Sequence, residues 1–461
     1  MTAGLVLLLA GGFTFSAQAQ TVYHVTEDGT GDGSSWSNAT SLQGALSNAT
    51  GDDAVVVAAR RYLPTDDASD RDASFAIDGS QDGLAVYGGW TGTETFTDIA
   101  SVDNQLDSRD LAANPTVLSG DIDNNDDTNS DRVTETPEDI DGGTDVLNGN
   151  NSYTVVYLDG TTEGTITTDT VLDGLTITGG QANTSNPNNS GGGLHCDADN
   201  AGAESLCSPT VANTIFTGNY AATFGGALYN DGRNGISSPH IVRTSFVSNA
   251  TNFSGGAVVN DARNGGTANP LLERTIFASN SADINGGAMY SVTDGGTSSP
   301  EVTNALFANN DANKGGPIFN SAQSGTSSPQ ITHVTFTGNY ADRQGGALFN
   351  NGNGGVVTPV LTNTILWGND ADTGQKEDGP EIFNQDIASA TLSYTLIEGD
   401  VNGGVGGGRL IRMTAKSATL TRCLWMRVPH RATTTASAPP MMACAWVRAL
   451  RHWPVAASLR L

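Results

Sequence analysis

Positive charge is what this chain has least of. Its 461 residues include 21 Lys and Arg against 49 Asp and Glu, and only three of the 21 are Lys. Nine of the basic residues fall in residues 409–461, where no acid occurs, so residues 1–408 hold 12 basic and 49 acidic residues, a net of −37. Phosphates are repelled by such a surface, which argues against nucleic acid as a partner. An acidic, Lys-poor surface also stays hydrated at high salt, which points to a halophilic source. Cysteine is scarce as well, at four residues. Cys196 and Cys207 have no further Cys or His at ligand spacing, so a zinc centre built on this pair is disfavoured. Beyond residue 19 no apolar run is long enough to cross a bilayer as a helix. Charged residues are only 15% of the chain, while Gly reaches 57 and Asn, Thr and Ser crowd the middle. That is a composition of tight turns and short strands rather than helices.

The two ends read differently from the rest. Residues 1–19 form an apolar run closing on Ala17-Gln18-Ala19, the small-x-small pattern of a signal peptide, with a mature start at Gln20. Residues 399–461 are set apart as an aberrant basic tail. From Arg409 on it holds four of the six Met and three of the six Trp. Met and Trp have single codons, so Trp425-Met426 and Met441-Met442 each conceal an Asp codon in the frame displaced by one nucleotide, while Trp446-Val447 conceals Gly and Trp453-Pro454 conceals Ala. The tail therefore reads as a shifted frame, entered near VNGGVGGG, and carries no assigned fold or function. A basic tail that binds anions is the competing reading.

Between the ends a unit recurs. Pro209, Pro239, Pro270, Pro300, Pro329 and Pro359 mark six copies about 30 residues apart. An aliphatic residue follows two positions later, as in Val211, Ile241 and Leu272. Next comes a column of Phe216, Phe246, Phe277, Phe307 and Phe336, with Leu366 in the last copy. After a Gly pair a third apolar column begins at Leu228, Val258 and Met289. Three apolar columns repeated in one direction predict three inward-facing strands per coil, each pairing in parallel with its equivalent about 4.8 Å above. The fold class is therefore all-β, a right-handed parallel β-helix whose coils bury their apolar faces only against neighbours. Asn219, Asn249, Asn280, Asn310 and Asn339 recur three residues after the Phe column. There a corner is expected, with Asn in the left-handed conformation and its amides bonded up and down as a ladder. Gly225, Gly255, Gly286, Gly315 and Gly345, each the first of a pair, mark a second corner that needs positive φ or close approach. Residues 20–150 supply irregular first coils and a cap, with SLQGALSNA as a capping helix over the first open edge. Residues 151–208 form an irregular coil whose excursion is closed by Cys196 and Cys207, as a disulfide if the chain is exported and as two thiols otherwise. Residues 209–398 are the regular repeats.

GSSWSNATSLQGAL, VYGGWTGTE, VLDGLTITGG and the recurring F-x-x-N with GGA resemble bacterial surface proteins with right-handed parallel β-helix repeats, of pectin-lyase-like fold, including polymorphic outer-membrane protein repeats. The resemblance spans about residues 22–398, and Gly379-Pro380-Glu381 departs from it in the last copy. It implies export, placement at the extracellular or outer-membrane surface, and adhesion.

Chemistry is harder to find. Glycoside hydrolysis needs two carboxylates at a set separation, and lyase chemistry a base beside calcium-binding acids. Glu273 and Glu301 are the main strand acids of the regular repeats, at unequal offsets from the marker Pro. His195, His240 and His333 fall at different repeat positions, where solvent-facing or turn roles are the ordinary reading. Arg243, Arg274 and His333 share one column, either a basic strip for an anionic glycan or a solvated corner. The run DIDNNDDTNSD at 121–131 offers oxygens to Ca2+, but lacks the sixth-position Gly and closing Glu of an EF-hand loop. The expectation is an exported structural or adhesive protein that meets a surface glycan or another surface protein, with no catalytic residue, cofactor or metal ligand assigned. The rival is a carbohydrate-active enzyme on the same scaffold. The sequence names no ligand and no oligomeric state.

Overall fold

The computed structural model describes residues 20–143, 150–185, 188–201, 204–372 and 381–398, with the backbone of 401–402, 404–406 and 410–413. The proposed signal peptide and the tail from Thr414 lie outside the described residues.

The chain winds into a parallel solenoid of about 11 turns with roughly 31 residues per turn. Its strands form four sheets of 12, 11, 7 and 10 strands, taken in the order a coil visits them, and every paired strand is parallel to its neighbour in the next coil. The apolar columns stack in register. In the first sheet Val211 meets Ile241, which meets Leu272. In the second, Phe216, Phe246, Phe277, Phe307, Phe336 and Leu366 follow one another. In the fourth, Leu228, Val258, Met289, Ile318 and Leu348 do so. All of these are within 2% of complete burial and belong to one interior that runs from Val25 to Ile397. The phenylalanine rings stack face to face, with centroids 4.6–5.0 Å apart and planes within 14°. That spacing is the coil rise itself, so each ring packs on its own repeat image.

Three strands per coil was one too few. The third sheet passes through Ala182, Ala221, Thr251, Ala282, Ala312, Ala341 and Ala371. Its strands are two to five residues long and its inward column is Ala and Thr, so no greasy periodicity announced it.

The corners also differ from expectation in one detail. The ladder asparagines are not themselves left-handed. The residue before each is: Gly218, Ser248, Ser279, Asn309 and Gly338, with φ between 52° and 66°. The corner takes two residues, one reversing the chain at positive φ and the next aiming its amide into the interior. Another left-handed column, Asn213, Arg243, Arg274, Asn304, His333 and Asn363, joins the first sheet to the second. At the Gly pairs, the first Gly is left-handed and the second lies against the next coil: a Cβ on Gly226 or Gly256 would sit 2.2–2.4 Å from a carbonyl oxygen there.

The first coils are closed by a helix at Leu42–Asn48, whose N-cap Ser41 accepts a bond from the Gly44 amide. It buries Leu42, Ala45 and Leu46 against the strands Val22–Val25, Ala54–Ala58 and Phe75–Asp78. At the far end strand pairing continues past residue 398, since Leu410–Met413 pairs with Thr395–Glu398. The solenoid thus enters the segment that composition had set apart.

Candidate functional site

The residues named from the sequence divide into those that face inward and those on corners. Cys196 and Cys207 are joined by a disulfide and wholly buried. Asn219, Asn249, Asn280, Asn310 and Asn339 form a continuous amide ladder: each Nδ2 donates to the Oδ1 of the next coil's asparagine at 2.6–3.0 Å, ending on Asn369. Asn369 in turn donates to Oε2 of Glu381 at 2.9 Å. Burial pushes the Glu381 carboxyl up to about 8, with Glu398 and Asp370 adding repulsion, against the bonds from Asn369. Arg243, Arg274 and His333 sit on exposed left-handed corners. Arg243 donates to Asn213 Oδ1 at 2.6 Å, and His333 contacts Asn363 at 3.1 Å. His240 lies 3.3 Å from Glu273, and Glu301 is exposed. Of the residues named for chemistry, His240 and Glu273 are a pair that the coils bring together.

In the 121–131 loop, Asp121 forms a buried ion pair with Arg61 at 2.8 Å. Asp126 accepts bonds from Thr134 and Asn151. Asn129 Oδ1 accepts the amides of Asp131 and Val133. The oxygens that sequence offers to Ca2+ are thus in large part already engaged by protein donors.

The notable cluster is one the sequence reading missed. Along a strand side chains alternate, so Leu194 and Cys196 face the interior while His195 and Asp197 face outward. Parallel register then stacks the outward residues. Asp78, Asp159, Asp197, Asp231 and Asp261 form one column over five coils of the fourth sheet. Beside it Tyr157, His195 and Tyr229 form a second column. The acids escaped notice because intervals of 81, 38, 34 and 30 residues separate them in sequence. Insertions between strands alter that interval without altering register.

The last two of these acids are enclosed, while Asp78, Asp159 and Asp197 are half-buried. Asp231 and Asp261 are 1% and 0% exposed, and His195 is 5% exposed, not the solvent-facing or turn residue expected. Each acid also closes the turn after its strand by accepting the amide two residues on, as Asp159 does from Thr161 and Asp197 from Asp199. Tyr157 and Tyr229 donate their hydroxyls to Asp197 and Asp261 at 2.6 and 2.8 Å. Arg233 grips both oxygens of Asp231, and Arg263 does the same to Asp261. Burial would raise Asp231, but the Arg233 bonds and the nearby His195 outweigh it and hold the carboxyl at about 2. Burial likewise opposes the Thr161 and Thr162 donors at Asp159, and the donors win, leaving it lowered. The Tyr157 and Tyr229 hydroxyls are raised by burial and by the adjoining carboxylates, so both remain donors.

A family model described as the Chlamydia polymorphic membrane protein repeat matches residues 213–231 and 333–351. Each matched segment begins at a left-handed corner, passes through Phe216 or Phe336 and the ladder asparagine, and ends on the fourth sheet beyond the Gly pair. The chain is a parallel β-helix, two of whose coils match the polymorphic membrane protein repeat. No curated protein and no solved structure matches it. The matched segments contain residues spent on coil stacking, whereas Asp78, Asp159 and Asp197 lie in coils before the first matched segment.

Proposed function

We propose that this protein is exported, is displayed at or released from the cell surface, and serves a structural or adhesive role without catalysis. The observation that carries this reading is where the repeat's chemistry goes. Phe, Asn and Gly are spent on contacts between equivalent residues of successive coils, and the outward carboxylates at Asp231 and Asp261 are sealed by arginine and tyrosine. A hydrolase would need such acids open to a polymer. The similarity to a membrane protein repeat supports a surface location. Among the described residues no helix is long and apolar enough to cross a membrane.

The partner is a surface glycan or another surface protein. A hollow of about 380 Å³ near the N-terminal cap is the place offered for an anionic glycan, being lined by Arg60, Arg61 and Arg132 together with Glu27 and Asp131. Arg61 is neutralised by Asp121 and Arg132 meets Glu27, which leaves Arg60, with Asp131 in the same lining, as the cation for a carboxylate or sulfate. The test is surface labelling of intact cells, followed by a glycan array that contrasts uronate and sulfated chains with neutral ones. Labelling only after lysis would overturn the location. Equal binding to neutral and anionic chains would overturn the ligand class.

One observation favours a second reading, a carbohydrate-active enzyme: carboxylates from neighbouring coils do converge on one face. Incubation with acidic polysaccharides, with and without Ca2+, separates the two readings, because reproducible chain cleavage belongs only to the enzyme.

A further inference from the structure

The outward face around His195 carries more negative charge than its cations cancel. Asp159, Asp197, Asp199, Asp231 and Asp261 stand against Arg233 and Arg263, an excess of three with the imidazole neutral. The imidazole is held edge to face between Tyr157 and Tyr229, with centroids 5.4 and 5.0 Å away. Its Nε2 is buried and has no hydrogen-bond partner. The nearest carboxylate oxygen to it, Asp231 Oδ2, is 3.7 Å off, beyond hydrogen-bond reach. A buried ring nitrogen left unmatched costs free energy, and this one lies beside two carboxylates that could share an ion with it. Ligand atoms from His195, Asp197 and Asp231 all lie within 4.8 Å of one another. Among the described residues this is the group of that kind.

We propose that His195, Asp197 and Asp231 bind one divalent transition ion of the zinc class. Imidazole with two carboxylates suits Zn2+ and its neighbours, whereas Ca2+ and Mg2+ take oxygen alone. Asp231 Oδ1 accepts both the amide and Nε of Arg233, whereas Oδ2 accepts one bond from Arg233 and keeps a second lone pair for the ion. Tyr157 and the Asp199 amide hold Asp197 from behind, the kind of outer support that orients a metal ligand. The ion would tie two successive coils together on the outside, where the Cys196–Cys207 bond fastens the same coil within. Composition had assigned no metal to His195 because its ligand partners sit two residues away on one strand and on the next coil, a spacing no motif records.

The test uses the full chain carrying a tag without histidine, stripped with a chelator and titrated with Zn2+ by calorimetry. His195→Phe keeps a flat ring between the tyrosines and removes the nitrogen; Asp197→Asn keeps the shape and removes the charge. One saturable site per chain is expected, weakened at least ~100-fold in each variant, since outer-shell changes alone cost about 10–100-fold. Co2+ substitution into the wild-type protein gives a second readout that needs no variant to fold: visible d–d bands of a four- or five-coordinate site support the proposal, and a purely hexaaqua-like spectrum overturns it. Absence of uptake, or uptake unchanged in His195→Phe, as binding by the tail Cys and His residues would give, also overturns it. Ca2+ is titrated in parallel: Ca2+ displacing Zn2+ at His195 would refute the choice of metal class.

Discussion

Two asparagine columns line the interior, and they are built to different standards. The one at the corner between the second and third sheets runs unbroken from Asn219 to Asn369, and every member also donates to a carbonyl of the coil before, as Asn280 does to Phe246. The one on the fourth sheet links Asn230 to Asn260, meets Ser291 at a long 3.3 Å, and resumes only at Asn320, Asn350 and Asn384. Asn230 Oδ1 and Asn320 Oδ1, the first oxygen of each stretch, are left without a partner. The same residue type at full burial therefore does two jobs. At the corner it replaces the backbone bonds that a reversing chain cannot make for itself; on the strand the ladder is already complete and the amide is an addition. A corner asparagine should be indispensable and a strand asparagine replaceable.

The largest effect is expected from Asn280→Ala. It removes the donor to Phe246 and Asn310 and the acceptor for both the amide and the side chain of Asn249. With several buried groups stranded, a loss of roughly 4 kcal/mol in urea unfolding is expected, and a loss below 1 kcal/mol would erase the distinction between the columns.

Next is the end of the corner column. Glu381 has a folded value near 8 against an ordinary carboxyl value of 4.5. The folded state keeps a proton that the unfolded state has released, so stability is highest below about pH 4.5 and falls as pH rises toward 8, by up to ~1.4 kcal/mol per unit. Glu381→Gln keeps an oxygen for Asn369 and should remove that slope between pH 5 and 8 at constant salt. A slope that survives in the variant would place the proton elsewhere.

On the strand column, Asn260→Ser repeats what nature has done at position 291 and should cost about 1 kcal/mol. Ser291→Asn, the smallest effect, completes that ladder and should raise the unfolding midpoint by the equivalent of about 0.5 kcal/mol. A fall instead would mean that the interior at this level lacks room for the larger side chain.

How legible was this in the sequence? The Phe, aliphatic and Asn columns were visible because they recur at nearly constant intervals and their chemistry is loud. The third sheet was silent because Ala and Thr carry no periodic hydrophobic signal. The asparagine's place at a corner was read correctly but its conformation was not, since the left-handed step belongs to the residue before it. The Asp column was hidden for another reason. Asp78, Asp159 and Asp197 belong to coils of unequal length, and only register in space aligns them. His195 could have been caught by one signal: it lies one residue before the cysteine whose inward direction the disulfide fixes, and so it had to point out, next to Asp197 on the same face.

Phe216–Asn230 and Phe336–Asn350 are nearly the same words, 120 residues and four coils apart. Because every coil presents its successor with the surface it receives from its predecessor, excising the stretch between them would weld two compatible edges and shorten the stack by roughly 19 Å. A gene built this way can lengthen or contract by unequal crossing-over while leaving every junction native, so reach becomes a heritable variable independent of the fold.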